Sequence, residues 1–136
     1  GIIKLESMKS GNTRTDSLPM LLTIEALNDT VFSWKSSFIR ASDTLVKDYL
    51  IRVETNRMVL DEQNGLLFEH SGTSEILVFV YEVNGTLYHV RYDLRIKDQI
   101  DFELSYFKSG DSTELENNTI TPFQLAGKQY ALLKLR

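Results

Sequence analysis

The chain contains no cysteine, which excludes disulfides, thiolate nucleophiles, Cys-x-x-Cys redox chemistry, zinc fingers and iron–sulfur ligation. It has two prolines, Pro19 and Pro122, and both lie outside the alternating apolar runs, as expected where every internal N–H is needed for pairing. A surplus of positive charge is missing as well. Fifteen Lys and Arg face nineteen Asp and Glu, a formal net charge of -4, the wrong balance for a protein that lives on phosphate contacts. Nucleic acid and anionic membrane are therefore not expected partners. No run approaches the ~18 consecutive apolar residues of a membrane-spanning helix. No Gly-x-Ser-x-Gly elbow, no recognisable Ser, His and Asp group and no GxxxxGK[ST] or GxGxxG phosphate cradle occurs, which counts against an enzyme.

What the chain does have is an ordinary globular composition: 136 residues, 42% hydrophobic, 25% charged and 10% aromatic. A chain of this length buries roughly two-thirds of the surface its unfolded form exposes, enough for one core without metal or disulfide staples. Residues 1–17 are mostly polar and read as a flexible N-terminal arm. Residues 18–136 read as a single domain. The first residue is Gly rather than Met and no signal-like apolar segment opens the chain, so the expectation is an exported protein whose leader has been removed. A cytoplasmic setting fits the composition equally well. Three Asn-x-Ser/Thr acceptors begin at Asn28, Asn84 and Asn117, although Asn84 is already explained by turn chemistry.

From Leu18 onward the pattern is period two, the signature of strands. Met20 to Leu27 sets Leu22, Ile24 and Ala26 against Thr23 and Glu25. Thr30 to Ile39 sets Phe32, Trp34, Ser36 and Phe38 against Ser33, Lys35 and Ser37. Leu45 to Glu54 carries Tyr49, Ile51 and Val53 on one face, and short strands follow at Arg57 to Leu60 and Leu66 to Glu69. Glu75 to Val83 is apolar on both faces and is expected in the middle of the sheet or at an interface. Asn84-Gly85 then sits between two long β-rich runs at the spacing of a type I′ hairpin. Thr86 to Ile96 puts Tyr88, Val90, Tyr92 and Leu94 inside, and Gln99 to Phe107 does the same with Ile100, Phe102, Leu104 and Tyr106. Lys108 to Thr119 reads as a polar loop, Pro122 to Ala126 as one helical turn, and Lys128 to Leu135 as a last strand.

The expected fold is all-β, an antiparallel meander of eight or nine strands. Short sequential connections favour an up-and-down barrel, while a β-sandwich obeys the same alternation. The aromatic residues Phe32, Trp34, Phe38, Tyr49, Tyr88, Tyr92, Phe102 and Tyr106, together with Ser36, fall on the inward faces. A small barrel lined this way either fills itself or holds one small ligand. No cofactor and no metal is expected, because His70 and His89 have no second ligand at a useful spacing. His70 ends a strand, where barrel mouths lie. The adjacent Asp61 and Glu62 read as solvated turn acids rather than a calcium loop or a catalytic pair.

The run Val31-Phe-Ser-Trp-Lys, the stretch Asp48-Tyr-Leu-Ile-Arg-Val followed by Leu60-Asp-Glu-Gln-Asn-Gly-Leu, and the hairpin at Asn84-Gly85 together resemble the calycin superfamily. Lipocalin and fatty-acid-binding barrels belong to it, as do the small lipocalin-like domains of exported bacterial proteins. The resemblance covers Leu18 to Arg136. It implies a barrel that binds a small hydrophobic or amphipathic molecule. Trp34 lies on the second expected strand, without the Gly-x-Trp that lipocalins carry on their first, so no ligand residue follows from the resemblance. The leading expectation is a non-catalytic binding module with the inward aromatics as its lining and Trp34 as its central wall. The alternatives are an interaction domain that pairs with itself or another protein, a homodimer included, and an enzyme with carboxylates or His70 at the barrel mouth.

Overall fold

Alternation of apolar and polar residues becomes twelve strands in a computed structural model that describes residues 1–9 and 11–135. They are β1 (Ile2–Lys9), β2 (Asn12–Ala26), β3 (Val31–Ile39), β4 (Thr44–Val53), β5 (Met58–Asp61), β6 (Leu67–Glu69), β7 (Ile76–Val83), β8 (Thr86–Asp93), β9 (Gln99–Ser109), β10 (Thr113–Leu115), β11 (Asn118–Ile120) and β12 (Phe123–Lys134). Ten form one sheet in the order β6-β5-β4-β3-β2-β1-β12-β9-β8-β7, and β10 and β11 pair with each other. The chain thus runs up and down around the sheet, and β12 completes the circuit by lying between β1 and β9.

The sheet curls until its end strands meet, giving a nearly closed antiparallel barrel. The seam is joined where Ser71 N–H donates to Val78 C=O at 3.0 Å and where Phe68 of β6 stacks on Tyr81 of β7 at 4.3 Å. β2 is shared between two neighbours, its first half pairing with β1 and its second half with β3. The Gly1 ammonium donates to Met20 C=O and Met20 N–H to Gly1 C=O, which pins the changeover. Inside, Ile3, Met20, Trp34, Phe79, Tyr92 and Phe102 belong to one core cluster.

Several expectations are corrected. Of the first seventeen residues, Ile2–Lys9 and those from Asn12 onward are strand rather than a loose arm: β1 and the start of β2 lie in the middle of the sheet, where Ile3 is fully buried. Their polarity reflects position, because Ser7, Arg14 and Asp16 stand near the open end of the barrel and both neighbours supply ladder hydrogen bonds. Residues 123–126 extend β12 instead of turning as a helix. A register shift between Leu125 and Gly127 against β9 breaks the alternation there, which is how a bulge conceals a strand. The polar loop at 108–119 contains the β10/β11 hairpin. Finally, of the two placements expected for β7, mid-sheet or at an interface, the first is excluded: it is an end strand of the sheet and lies at the seam. The Asn84-Gly85 hairpin forms as expected, with φ of 49° and 77° at its two central residues, the left-handed pair a type I′ turn requires.

At the end of β8, Asp93 is buried and takes a two-pronged contact from Arg95, at 2.9 and 2.7 Å, and a third from Arg91 at 2.6 Å. Hydrogen bonding from the Arg95 guanidinium outweighs burial, and with the Arg95 N–H and both cationic charges it holds the Asp93 carboxyl down at about 2. An unfolded aspartate titrates near ~4. The group therefore stabilises the fold fully above about pH 4, and that contribution is lost as pH falls toward about 2. Asp93→Asn is expected to be less stable than wild type at pH 7 and to lose part of the slope of stability against pH in that window. Urea titrations at pH 7, 4 and 2.5 would read this, and parallel curves for the two proteins would refute it.

Candidate functional site

The barrel encloses a cavity of about 410 Å³, reached from the end where the β3–β4, β5–β6 and β7–β8 turns lie. Its apolar wall comes from every side of the barrel, including Leu5 of β1, Leu18 of β2, Leu60 of β5, Phe79 of β7 and Phe102 of β9. Toward the open end the lining gains Arg40, Lys47 and Glu62. Arg40 is engaged by Asp43, and Glu62 accepts from the Asn64 carboxamide at 3.2 Å. Lys47 stands across the ladder from Ser36 with its side chain exposed.

The sequence-derived residues separate into three groups. Ser36, Phe38, Tyr49, Tyr88, Tyr92 and Phe102 line this cavity together. Trp34 is buried beneath it, edge-on to Tyr92 with centroids 4.9 Å apart and planes at 74°. Phe32 packs on the core, and Tyr106 lines a smaller neighbouring pocket of about 220 Å³ with Arg14 and Asp16. The lining residues absent from the sequence reading were within its reach. Lys47 and Leu45 lie two and four residues before Tyr49 on the same face, and Arg40 lies two after Phe38. On β7, where both faces are apolar, the hairpin register decides: Leu77, Phe79 and Tyr81 pair with Tyr92, Val90 and Tyr88, so they share the inward face.

Burial governs the phenols. Desolvation, followed by the nearby Glu62 charge, raises the Tyr49 hydroxyl far above its ordinary value and pushes Tyr81 up to about 12. Tyr92 is also pushed up to about 12 by burial, against the pull of the Trp34 N–H and Ser36 hydroxyl beside it. All three are neutral hydroxyls at physiological pH. Among the described residues neither Trp34 Nε1 nor Ser36 Oγ completes a hydrogen bond, although both atoms are buried.

The two histidines and the acidic pair do other work. His70 Nδ1 accepts from Gly72 N–H and Val78 N–H, each at 3.1 Å, and its Nε2 lies 2.8 Å from Thr73 C=O. These partners assign the tautomer protonated at Nε2 and make His70 a clasp at the seam. His89 pairs with Val80 and Ser105 in the ladder, on the outward face. Asp61 accepts from Arg52 Nε at 3.0 Å and from Gln63 N–H, while Glu62 turns toward the cavity. No group of three or more His, Asp or Glu able to hold a metal ion occurs among the described residues, and no helix is long and apolar enough to cross a membrane. In comparisons by sequence, no family model matches the chain and no curated protein matches it.

Proposed function

We propose that the protein is a binding module that holds a small apolar or amphipathic molecule inside its barrel without transforming it. The observation that carries this reading is the cavity of about 410 Å³, walled by apolar and aromatic side chains with a few convergent hydroxyls. Small-molecule sites share that size range and that mixture of surfaces. A barrel filled by its own side chains leaves no such volume. The calycin-like reading draws support from the closed antiparallel meander.

The test combines cargo and uptake. Native mass spectrometry is expected to give an excess mass that vanishes on denaturation and returns as a small organic molecule in an extract. Titration with the apolar fluorophore N-phenyl-1-naphthylamine is expected to give saturable, one-to-one uptake. Trp34, the single tryptophan, should change its emission in step, since it lies directly under the cavity. A bare dimer without uptake would favour instead an interaction domain in which two copies pack over the outer surface of β6 and β7, where Leu67 and Val80 are exposed. A bare monomer without uptake would overturn both readings.

A further inference from the structure

Three donors meet at the cavity's deep wall. Trp34 and Ser36 are two residues apart on the inward face of β3, and Tyr92 comes from β8 on the opposite side. Trp34 is 4% exposed, Ser36 2% and Tyr92 3%, so water has little access to their polar atoms. Two of these atoms, Trp34 Nε1 and Ser36 Oγ, have no partner among the described residues. Buried polar groups are nearly always paired in folded proteins, and a group left unpaired points to an unseen partner. Ser36 and Tyr92 both face the cavity, whereas Trp34 lies behind them. Tyr92 stands close enough to feel both donors yet completes a bond with neither, so the acceptor still wanted is one that enters from the cavity side.

We propose that this wall is a subsite for one neutral hydrogen-bond acceptor, a ketone, ester or amide carbonyl on an otherwise apolar ligand, bound by the hydroxyls of Ser36 and Tyr92. The proposal rests on the binding reading above and adds the chemical class of the ligand. Hydrogen-bond arithmetic selects the group. A carbonyl oxygen has two lone pairs and accepts one O–H from Ser36 and one from Tyr92. With its proton turned toward the ligand, Tyr92 Oη is free to accept the Trp34 indole N–H, which has no other use as a donor. One acceptor thus satisfies all three side chains. A ligand donor would leave at least one hydroxyl proton unpaired.

The surroundings favour a neutral acceptor over a carboxylate. The lining's cations, Arg40 and Lys47, are exposed toward the open end, and Arg40 is already paired with Asp43. Although Lys47 opposes Ser36 in the ladder, its exposed ammonium leaves the deep wall without a buried cation. Burial at that wall penalises negative charge, as it does for the Tyr92 phenol.

The experiment displaces N-phenyl-1-naphthylamine from the 136-residue chain with three planar competitors of similar size: 2-acetylnaphthalene, 2-ethylnaphthalene and 2-naphthoate. The acetyl compound is expected to compete about tenfold better than the ethyl compound, and that advantage should fall to about twofold in both Ser36→Ala and Tyr92→Phe. The lone indole N–H resonance of Trp34 should move downfield with 2-acetylnaphthalene and stay in place with 2-ethylnaphthalene. Ser36→Ala alone should fold as stably as wild type, since it removes an unpaired hydroxyl. Equal competition by the acetyl and ethyl compounds would overturn the proposal and leave the binding reading intact, with the three donors served by water. Preference for 2-naphthoate, abolished by Lys47→Met, would overturn it in favour of an anionic headgroup at the mouth. Failure of wild type to take up the fluorophore at all would remove the binding reading itself, and the proposal with it.

Discussion

Gly72→Ala is expected to open the barrel at its seam and to lower stability by about 2–4 kcal/mol. A methyl group at position 72 would overlap the Ile76 carbonyl oxygen and sit 2.7 Å from the His70 imidazole. The first obstacle is backbone, which cannot swing aside as a side chain can, and overpacking of this kind costs roughly 1–3 kcal/mol. The loop must then shift, and Gly72 N–H loses its acceptor on His70, worth about 1 kcal/mol more. The ladder across the seam is short, with Ser71 and Val78 its junction, so the damage falls where the sheet has least redundancy. Exposed edges of β6 and β7 should also make the variant prone to association. Urea unfolding measures the first effect and light scattering the second. His70→Ala supplies a control, because it removes the same clasp from the other side. If the two substitutions act through one junction, the double variant should lose clearly less than the sum of the singles. A Gly72→Ala midpoint equal to wild type would mean that the loop relaxes freely and that the seam does not depend on it.

This junction also shows where sequence reading reaches and where it stops. Apart from β7, apolar on both faces, the long strands from Met20 to Phe107 were legible because each has one buried face, and burial imposes a period of two on the residue types. Asn84-Gly85 was legible for a different reason, since few residue pairs tolerate two successive positive φ angles. The strands that escaped detection are those whose burial is not one-sided along their length. In β1 and the start of β2, polar residues near the open end occupy inward positions; in β12, read as a strand only from Lys128 onward, a bulge flips the faces of the residues before it. Closure was invisible as well. Whether β7 lies mid-sheet or at a seam depends on which strand meets it, and the contact of His70 Nδ1 with Val78 N–H is made by a side chain that local pattern assigns to no face. For the site, six of the nine inward residues converge on the cavity, because alternation and register determine facing. Depth within the barrel is set instead by strand tilt and stagger, properties of the closed sheet. That is why Trp34 lies below the cavity, Phe32 belongs to the core and Tyr106 lies beside the smaller pocket.

The position of Trp34 reverses the effect its loss should have. A central wall of a binding site, once removed, would weaken binding more than stability. A buried floor should do the opposite. Trp34 is 4% exposed and packs edge-on to Tyr92, so Trp34→Ala should cost about 3–5 kcal/mol of folding free energy, the range for deleting a large buried aromatic. Part of that loss is the edge-to-face contact, worth ~1 kcal/mol in such pairs. Against it stands the relief of removing an indole N–H that has no acceptor. Uptake of N-phenyl-1-naphthylamine should nevertheless persist in the folded variant, at wild-type affinity or tighter, since the walls formed by Leu60, Phe79, Val90 and Phe102 remain and the cavity only deepens. The two quantities are separable by measuring urea stability and fluorophore affinity on the same preparation, with circular dichroism confirming the strand content. Retained uptake alongside a large drop in midpoint would assign Trp34 to the floor. Loss of uptake in a variant that remains folded would make its indole face a contact surface for the ligand, and the deep wall would then have to be drawn one residue lower on β3.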